Sequence, residues 1–157
     1  MGTFAQSVDK ITSEMIKGLD KAQKQAMRKG LQAGVKEYKR IAKPLIPLIS
    51  KATDTRSKGT LQRNLRHRIK IKSEAGELHG VGVIRIRRPK GKRMAAVREN
   101  TKDRNDPFYW FLVDRGTKYK AGVHFIDKAK ASGQHRANQK ALSVYLSTFN
   151  QSMSKFR

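Results

Sequence analysis

Four cations at every second position, Arg66, Arg68, Lys70 and Lys72, alternate with His67, Ile69 and Ile71. In an extended chain, a period of two places the four cations on one face and the isoleucines on the other. A row of long, flexible cations is chemically suited to phosphate. Neutralising about six phosphates gives log K against log salt a slope of roughly −5 on duplex DNA. After a turn at Glu74-Ala75-Gly76-Glu77, a second strand is expected through Val81, Val83, Ile84 and Ile86. Its apolar parity shifts between Val83 and Ile84, as a bulge would produce, while Arg85 and Arg87 rejoin the charged face. Residues 65 to 88 therefore read as a long antiparallel hairpin whose basic face, Arg66, Arg68, Lys70, Lys72, Arg85 and Arg87, meets nucleic acid. No aromatic residue interleaves with these cations, so backbone contact is favoured over base reading. A charged strand face also guards a sheet edge against aggregation. Six like charges crowded on one hairpin repel each other, which favours a polyanion partner.

Other chemistry is thinly supplied. The twelve carboxylates are scattered, and the closest pairs, Glu74/Glu77 and Asp103/Asp106, fall in a turn and a loop, where solubilising groups are expected. No HExxH, GxSxG or Walker-type pattern is present. His67, His79, His124 and His135 stand apart with no Cys to complete a zinc set. No enzyme activity, metal or cofactor is expected. A small basic ribonuclease working with His, Arg and Lys around phosphate stays open as an alternative.

The background charge agrees with a polyanion partner. Thirty-six Lys and Arg against twelve Asp and Glu make a net +24 in 157 residues. Seventeen of the basic and five of the acidic side chains lie in residues 51 to 105, so half of the net charge sits in about a third of the chain. Hydrophobic residues make up 37%, enough for one modest core and a single domain over 1 to 157. The absence of Cys excludes disulfides and thiolate metal sites. No run approaches the ~20 apolar residues of a membrane span, and MGTFAQSVDK lacks the basic-then-apolar pattern of a secretory signal, so no membrane partner is expected.

The elements that must position the hairpin follow from periodicity. Residues 1 to 46 read as helical, with apolar positions at Val8, Ile11, Met15, Leu19, Ala22 and Ala26, then Leu31, Val35, Tyr38, Ala42 and Leu45. Gly18, Gly30 and Gly34 make a kink or break plausible, and Pro44 and Pro47 predict a stop at about Lys43. Residues 50 to 64 read as a mobile loop, and 89 to 107 as a basic loop with a short helical turn around Met94 to Arg98. The run Phe108-Tyr109-Trp110-Phe111-Leu112-Val113 reads first as a buried strand over 108 to 117, with a helical turn as the alternative. Most of it should be core, and Trp110 is a candidate intersubunit anchor. Residues 124 to 155 read as helical, a short piece from His124 stopping at Ser132-Gly133 before a longer one with Leu142, Leu146, Phe149, Met153 and Phe156 on one stripe. The fold class is α+β: N-terminal helices, a small antiparallel sheet with a long basic hairpin, and a C-terminal helix.

The order of these elements resembles a family. Pro47, then Asp54-Thr55 and Gly59-Thr60-Leu61 leading to Leu65, then Phe111-Leu112-Val113-Asp114-Arg115-Gly116-Thr117, and finally His124-Phe125-Ile126-Asp127-Lys128-Ala129 are similar to blocks of the tail-completion, or head-tail joining, proteins of long-tailed bacteriophages, the lambda minor tail protein Z group. The second block, compact in that family, is interrupted here. Asp114-Arg115 stands where the family carries Glu before Gly-Thr, and His124 where it carries Pro. The resemblance implies a structural virion protein of the neck, assembled in the host cytoplasm. It implies a homo-oligomeric ring, hexameric in the family, that joins the tail-tube or tail-terminator protein to the head connector around non-specifically held double-stranded DNA. Trp110 and Arg115 are then the candidate subunit-interface residues. A ribosomal or other RNA-binding protein stays open beside the ribonuclease toxin as an alternative, since it accounts equally well for the charge.

Overall fold

The structure, a computed structural model, describes residues 4–54, 56–74, 76–88 and 103–154. In chain order its elements are α1 (Phe4–Leu45), α2 (Thr60–Arg63), β1 (Leu65–Glu74), β2 (Glu77–Ile86), α3 (Trp110–Arg115), β3 (Gly116–Thr117), β4 (Lys120–Ala121) and α4 (Phe125–Met153). This is an α+β arrangement with a helix at each end of the chain and two small antiparallel sheets, β1-β2 and β3-β4.

The spine is α1, whose 42 residues span about 63 Å at 1.5 Å each. It ends within two residues of the stop expected from Pro44, which lies in its last turn. Beyond it the Ile46 amide donates to the Lys43 carbonyl at 3.3 Å. No glycine breaks the helix. Gly30 and Gly34 instead let α4 approach: a Cβ on Gly30 would lie 2.7 Å from the Ala141 carbonyl oxygen, and one on Gly34 2.8 Å from that of Ala137. The helix propensity these glycines forfeit, up to ~1 kcal/mol each, is offset by contact that no larger residue permits.

The expected interruption at Ser132-Gly133 does not occur, and α4 runs unbroken from Phe125 to Met153. Gly133 faces the other way across the same interface, where a Cβ would lie 3.0 Å from the Tyr38 ring and 3.1 Å from Ile41 Cγ2. Pairing Gly34 with Ala137, Gly30 with Ala141 and Gly133 with Tyr38 makes α1 and α4 antiparallel. The buried stripe of α4 is Phe125, Ala129, Gly133 and Ala137, with Thr148 beyond. The apolar stripe read from the sequence is therefore corrected, since Leu142 and Leu146 are exposed.

The β1-β2 hairpin lies against α1 in unbroken register from Leu65↔Ile86 to Glu74↔Glu77. The expected bulge at Val83-Ile84 is absent. The inward positions of β2 are Gly80, Gly82, Ile84 and Ile86, so the apolar parity holds once glycine is counted as an inward residue. A Cβ on Gly80 would lie 2.7 Å from both Leu31 and Met27, and one on Gly82 would collide with Val35. Close approach of a helix is what selects glycine at these two strand positions.

The main core gathers Ala42, Ile46, Leu61, Leu65, Phe108, Tyr109, Phe125 and Ala129, with Tyr38, Leu45, Ile84, Ile86, Trp110, Val113 and Val123 packed on it. The strand expected over 108 to 117 is corrected to helix over Trp110–Arg115. Tyr109, Trp110 and Val113 turn inward while Phe111 and Leu112 stay exposed, a spacing of three and four that a strand cannot provide. Residues 50 to 64 are more structured than a mobile loop. Thr53 and Arg56 form an antiparallel bridge, α2 follows, and Thr60 and Leu61 are buried. The helical turn expected around Met94 to Arg98 lies outside the described residues.

Candidate nucleic-acid interface

The β1-β2 register decides what shares the outer face. Arg66 pairs with Arg85, Arg68 with Val83, Lys70 with Val81 and Lys72 with His79, and all eight are exposed. At ~6.7 Å per two residues, the four β1 cations form a row about 20 Å long. Arg87 continues the parity past the end of β2 and is also exposed; its backbone amide donates to the Asn64 carbonyl at 3.0 Å. The structure thus brings together all six candidate nucleic-acid residues. Two acids sit at the hairpin tip, where Glu74 lies 3.2 Å from Lys72 Nζ and Glu77 lies 3.7 Å from His79 Nε2. Among the described residues, Arg66, Arg68, Lys70, Arg85 and Arg87 have no ion-pair partner. Their charge is uncompensated within the described part of the molecule.

Val81 and Val83 fill the spaces between these cations, 56% and 47% exposed. With Arg68, Lys70, Lys72, His79 and Arg85 they line a shallow groove of about 410 Å³. The parity expected from the sequence puts the two valines on the apolar side, and the structure turns them outward. The signal that locates them correctly is the Gly-Val-Gly-Val alternation at 80 to 83, in which the smaller residue marks the face against a helix.

The two candidate interface residues lie apart on α3. Trp110 is half-buried and shares a cavity of about 330 Å³ with Tyr38, Ile84, Ile86, Phe125 and Ala129, so its ring belongs largely to the main core. Arg115 is exposed at the far end of α3, its Nε 3.5 Å from Asp114 Oδ2. Asp114 itself is fully buried. Its Oδ1 accepts the Ile126 amide at 3.0 Å, and its backbone carbonyl accepts the His124 amide at 2.9 Å. His124, at φ 51°, turns the chain into α4. Asp114 therefore caps the start of a helix twelve residues away, a carboxylate at the helix end whose dipole favours it.

A second ion pair escaped sequence reasoning entirely. Asp106, expected to be a solubilising loop carboxylate, is buried and accepts from Arg88 Nε at 2.8 Å and from its second nitrogen at 2.6 Å. The two side chains are 3% and 1% exposed. Nearby, Thr60 Oγ1 donates to the carbonyls of Ser57 and Arg104 at 2.8 and 3.1 Å. Asn64 donates its side-chain amide to the carbonyls of Thr60 and Asn105. These bonds tie α2 and its C-terminal cap to Arg104 and Asn105.

A groove of about 550 Å³ is lined by Pro47, Leu48, Gly59, Leu61, Tyr109, Leu112, Val113 and Thr117 among others. Residues distant in sequence, from three of the four blocks that carry the family resemblance, thus converge on one surface. Arg56 stacks over the Tyr109 ring at 4.5 Å at this groove. Burial raises the Tyr109 hydroxyl above its ordinary pKa, against the opposing pull of Arg56, the Thr60 hydrogen bond and Arg63.

Among the described residues no group of three or more His, Asp or Glu is placed to hold a metal, and no helix is long and apolar enough to cross a membrane. In comparisons with known proteins, the chain matches no family model, no curated protein and no solved structure.

Proposed function

We propose that this chain is a structural subunit of a bacteriophage neck, an oligomeric ring component that completes the tail and joins it to the head connector. The single observation that carries the nucleic-acid side of this reading is the outer hairpin face, where cations without an ion-pair partner among the described residues are arrayed on a two-stranded ribbon held against α1. DNA moving through a ring is served by contacts to phosphate alone, because contacts to bases would retain particular sequences. The motif order supplies the rest of the reading. Its blocks meet around one groove and, through Asp114 and Ile126, at the start of α4. The protein acts without catalysis or cofactor, in the virion.

The test replaces Arg66, Arg68, Lys70 and Lys72 by Gln. Folding should be retained, because all four side chains project into solvent. Duplex DNA binding should weaken by the same factor on unrelated sequences, and phage particles carrying the variant should lose DNA retention or infectivity. Unchanged binding and unchanged infectivity would sink the proposal. Tight binding to structured RNA with none to duplex DNA would instead favour the RNA-binding alternative. A gene position between capsid and tail genes is expected.

A further inference from the structure

Two valines stand on the outer hairpin face among its cations. Val83 lies across from Arg68 and Val81 across from Lys70, so two neighbouring rungs of the hairpin each present one cation and one branched apolar group to solvent. The groove of about 410 Å³ on this face takes its apolar lining from Val81 and Val83, and its polar lining from Arg68, Lys70, Lys72, Arg85 and His79. Among the described residues no carboxylate lines it. Glu74, at the hairpin tip, lies 3.2 Å from Lys72 Nζ, which leaves Arg68, Lys70 and Arg85 as groove cations with no ion-pair partner among the described residues. Strand propensity does not by itself account for valine here, because threonine suits a strand as well and would offer water a hydroxyl.

An anion with an apolar edge fits such a lining, and a nucleic-acid strand is one. The β1 cations repeat every ~6.7 Å, close to the step between successive phosphates of one strand. The sugars of that strand lie to one side of its line of phosphates, as the valines lie to one side of the cation row. A strand laid along Arg66, Arg68, Lys70 and Lys72 therefore brings its sugars over Val83 and Val81. Sugar contacts, like phosphate contacts, carry no base sequence. They do distinguish the sugar: deoxyribose offers C–H groups at its 2′ position, whereas ribose offers a hydroxyl by which proteins tell RNA from DNA. Pressed against valine, with Arg68 and Lys70 held on the phosphates, that hydroxyl loses its water and gains no partner, which costs free energy.

We infer that Val81 and Val83 make the hairpin face selective for DNA over RNA, by meeting the 2′ position of the bound strand with an apolar surface that has no hydrogen-bonding group. This deepens the proposed reading of the face as a DNA contact and rests on it. Charge alone does not supply the selection, since both nucleic acids carry the same phosphates. The cations hold the backbone, and the valines choose its sugar.

The test measures binding of the full chain, at one fixed salt concentration, to three duplexes of the same length and sequence with uracil in place of thymine throughout. They are DNA, RNA, and RNA with 2′-fluoro in place of the hydroxyl, which keeps the A-form shape. The wild type should bind the DNA at least about fivefold more tightly than the RNA, with the 2′-fluoro duplex close to the DNA. Val81→Thr with Val83→Thr keeps side-chain size, charge and strand propensity, and it gives the 2′ hydroxyl a partner. In this variant the preference should fall below about twofold, with circular dichroism to check that it is folded. Equal wild-type affinity for DNA and RNA, a preference undiminished in the Thr variant, or a 2′-fluoro duplex bound as weakly as the RNA would each overturn the inference, the last by assigning the preference to helix shape. In each of these cases, DNA affinity that falls when Arg66, Arg68, Lys70 and Lys72 are replaced by Gln leaves the DNA contact standing. No binding to any duplex, or DNA affinity unchanged by those four substitutions, sinks the DNA contact and the sugar selection with it.

Discussion

Asp106 shows how a single residue can invert its expected role. A bidentate pair with Arg88, both side chains nearly fully buried, loses two charge-assisted hydrogen bonds inside the protein when Asp106 is removed. Asp106→Ala should therefore cost about 3–5 kcal/mol, measured by urea denaturation, whereas Arg88→Met with Asp106→Leu should cost much less. A double variant as unstable as the single one would assign the loss to packing. Tyr109 makes a pH prediction at the same scale. Burial raises its hydroxyl pKa, so the neutral form is favoured in the folded state. The stability this confers is complete below the ordinary tyrosine value of about 10 and is lost as pH rises through the raised value. Tyr38 is raised by burial as well. Tyr109→Phe should lessen the alkaline loss of stability without abolishing it, as followed by thermal melts on either side of that pH.

Among the elements, the α1 interfaces are built on small residues. Gly30 and Gly34 meet Ala137 and Ala141 of α4, and Gly80 and Gly82 of β2 meet Met27, Leu31 and Val35. Gly82→Val should force β2 away from α1 and destabilise the fold by about 1–3 kcal/mol, while Val83→Ala, on the outer face, should cost about 0.5 kcal/mol or less. Equal effects in denaturation would show that the hairpin packs with its other face inward. Hairpin, long first helix and terminal helix were all legible in the sequence, because alternation and three-to-four spacing are local signals. The α3 helix was not. Six apolar residues in a row carry no period of their own, and only burial of Tyr109, Trp110 and Val113 against Ile46, Leu61 and Phe125 selects the helical spacing. The direction in which each face points was also hidden, since glycine reads as a breaker in sequence and acts here as the contact residue.

For the whole molecule, the +24 charge has an address. Removing one cation that touches phosphate should lower the salt slope of duplex DNA binding by about 0.9. The four-Gln hairpin variant should thus lose roughly 3 to 4 in slope, with equal weakening on unrelated sequences. A slope that stays at the wild-type value would place the DNA contact elsewhere on the surface. Net repulsion of this size also opposes self-association.

By itself the sequence determined the α+β class, the boundaries of the hairpin, the common face of Arg66, Arg68, Lys70 and Lys72, and the end of α1 near Pro44. Each follows from backbone periodicity or from proline geometry within a few residues. Tertiary structure alone decided that Ala129, Gly133 and Ala137 rather than Leu142 and Leu146 face α1, that Asp106 is buried with Arg88, that Asp114 caps α4, and that scattered motif blocks share one groove. Those outcomes depend on how closely two distant backbones can approach. That distance is set by the absence of side-chain atoms at glycine and alanine as much as by the presence of apolar ones, and no local pattern of hydrophobicity records it.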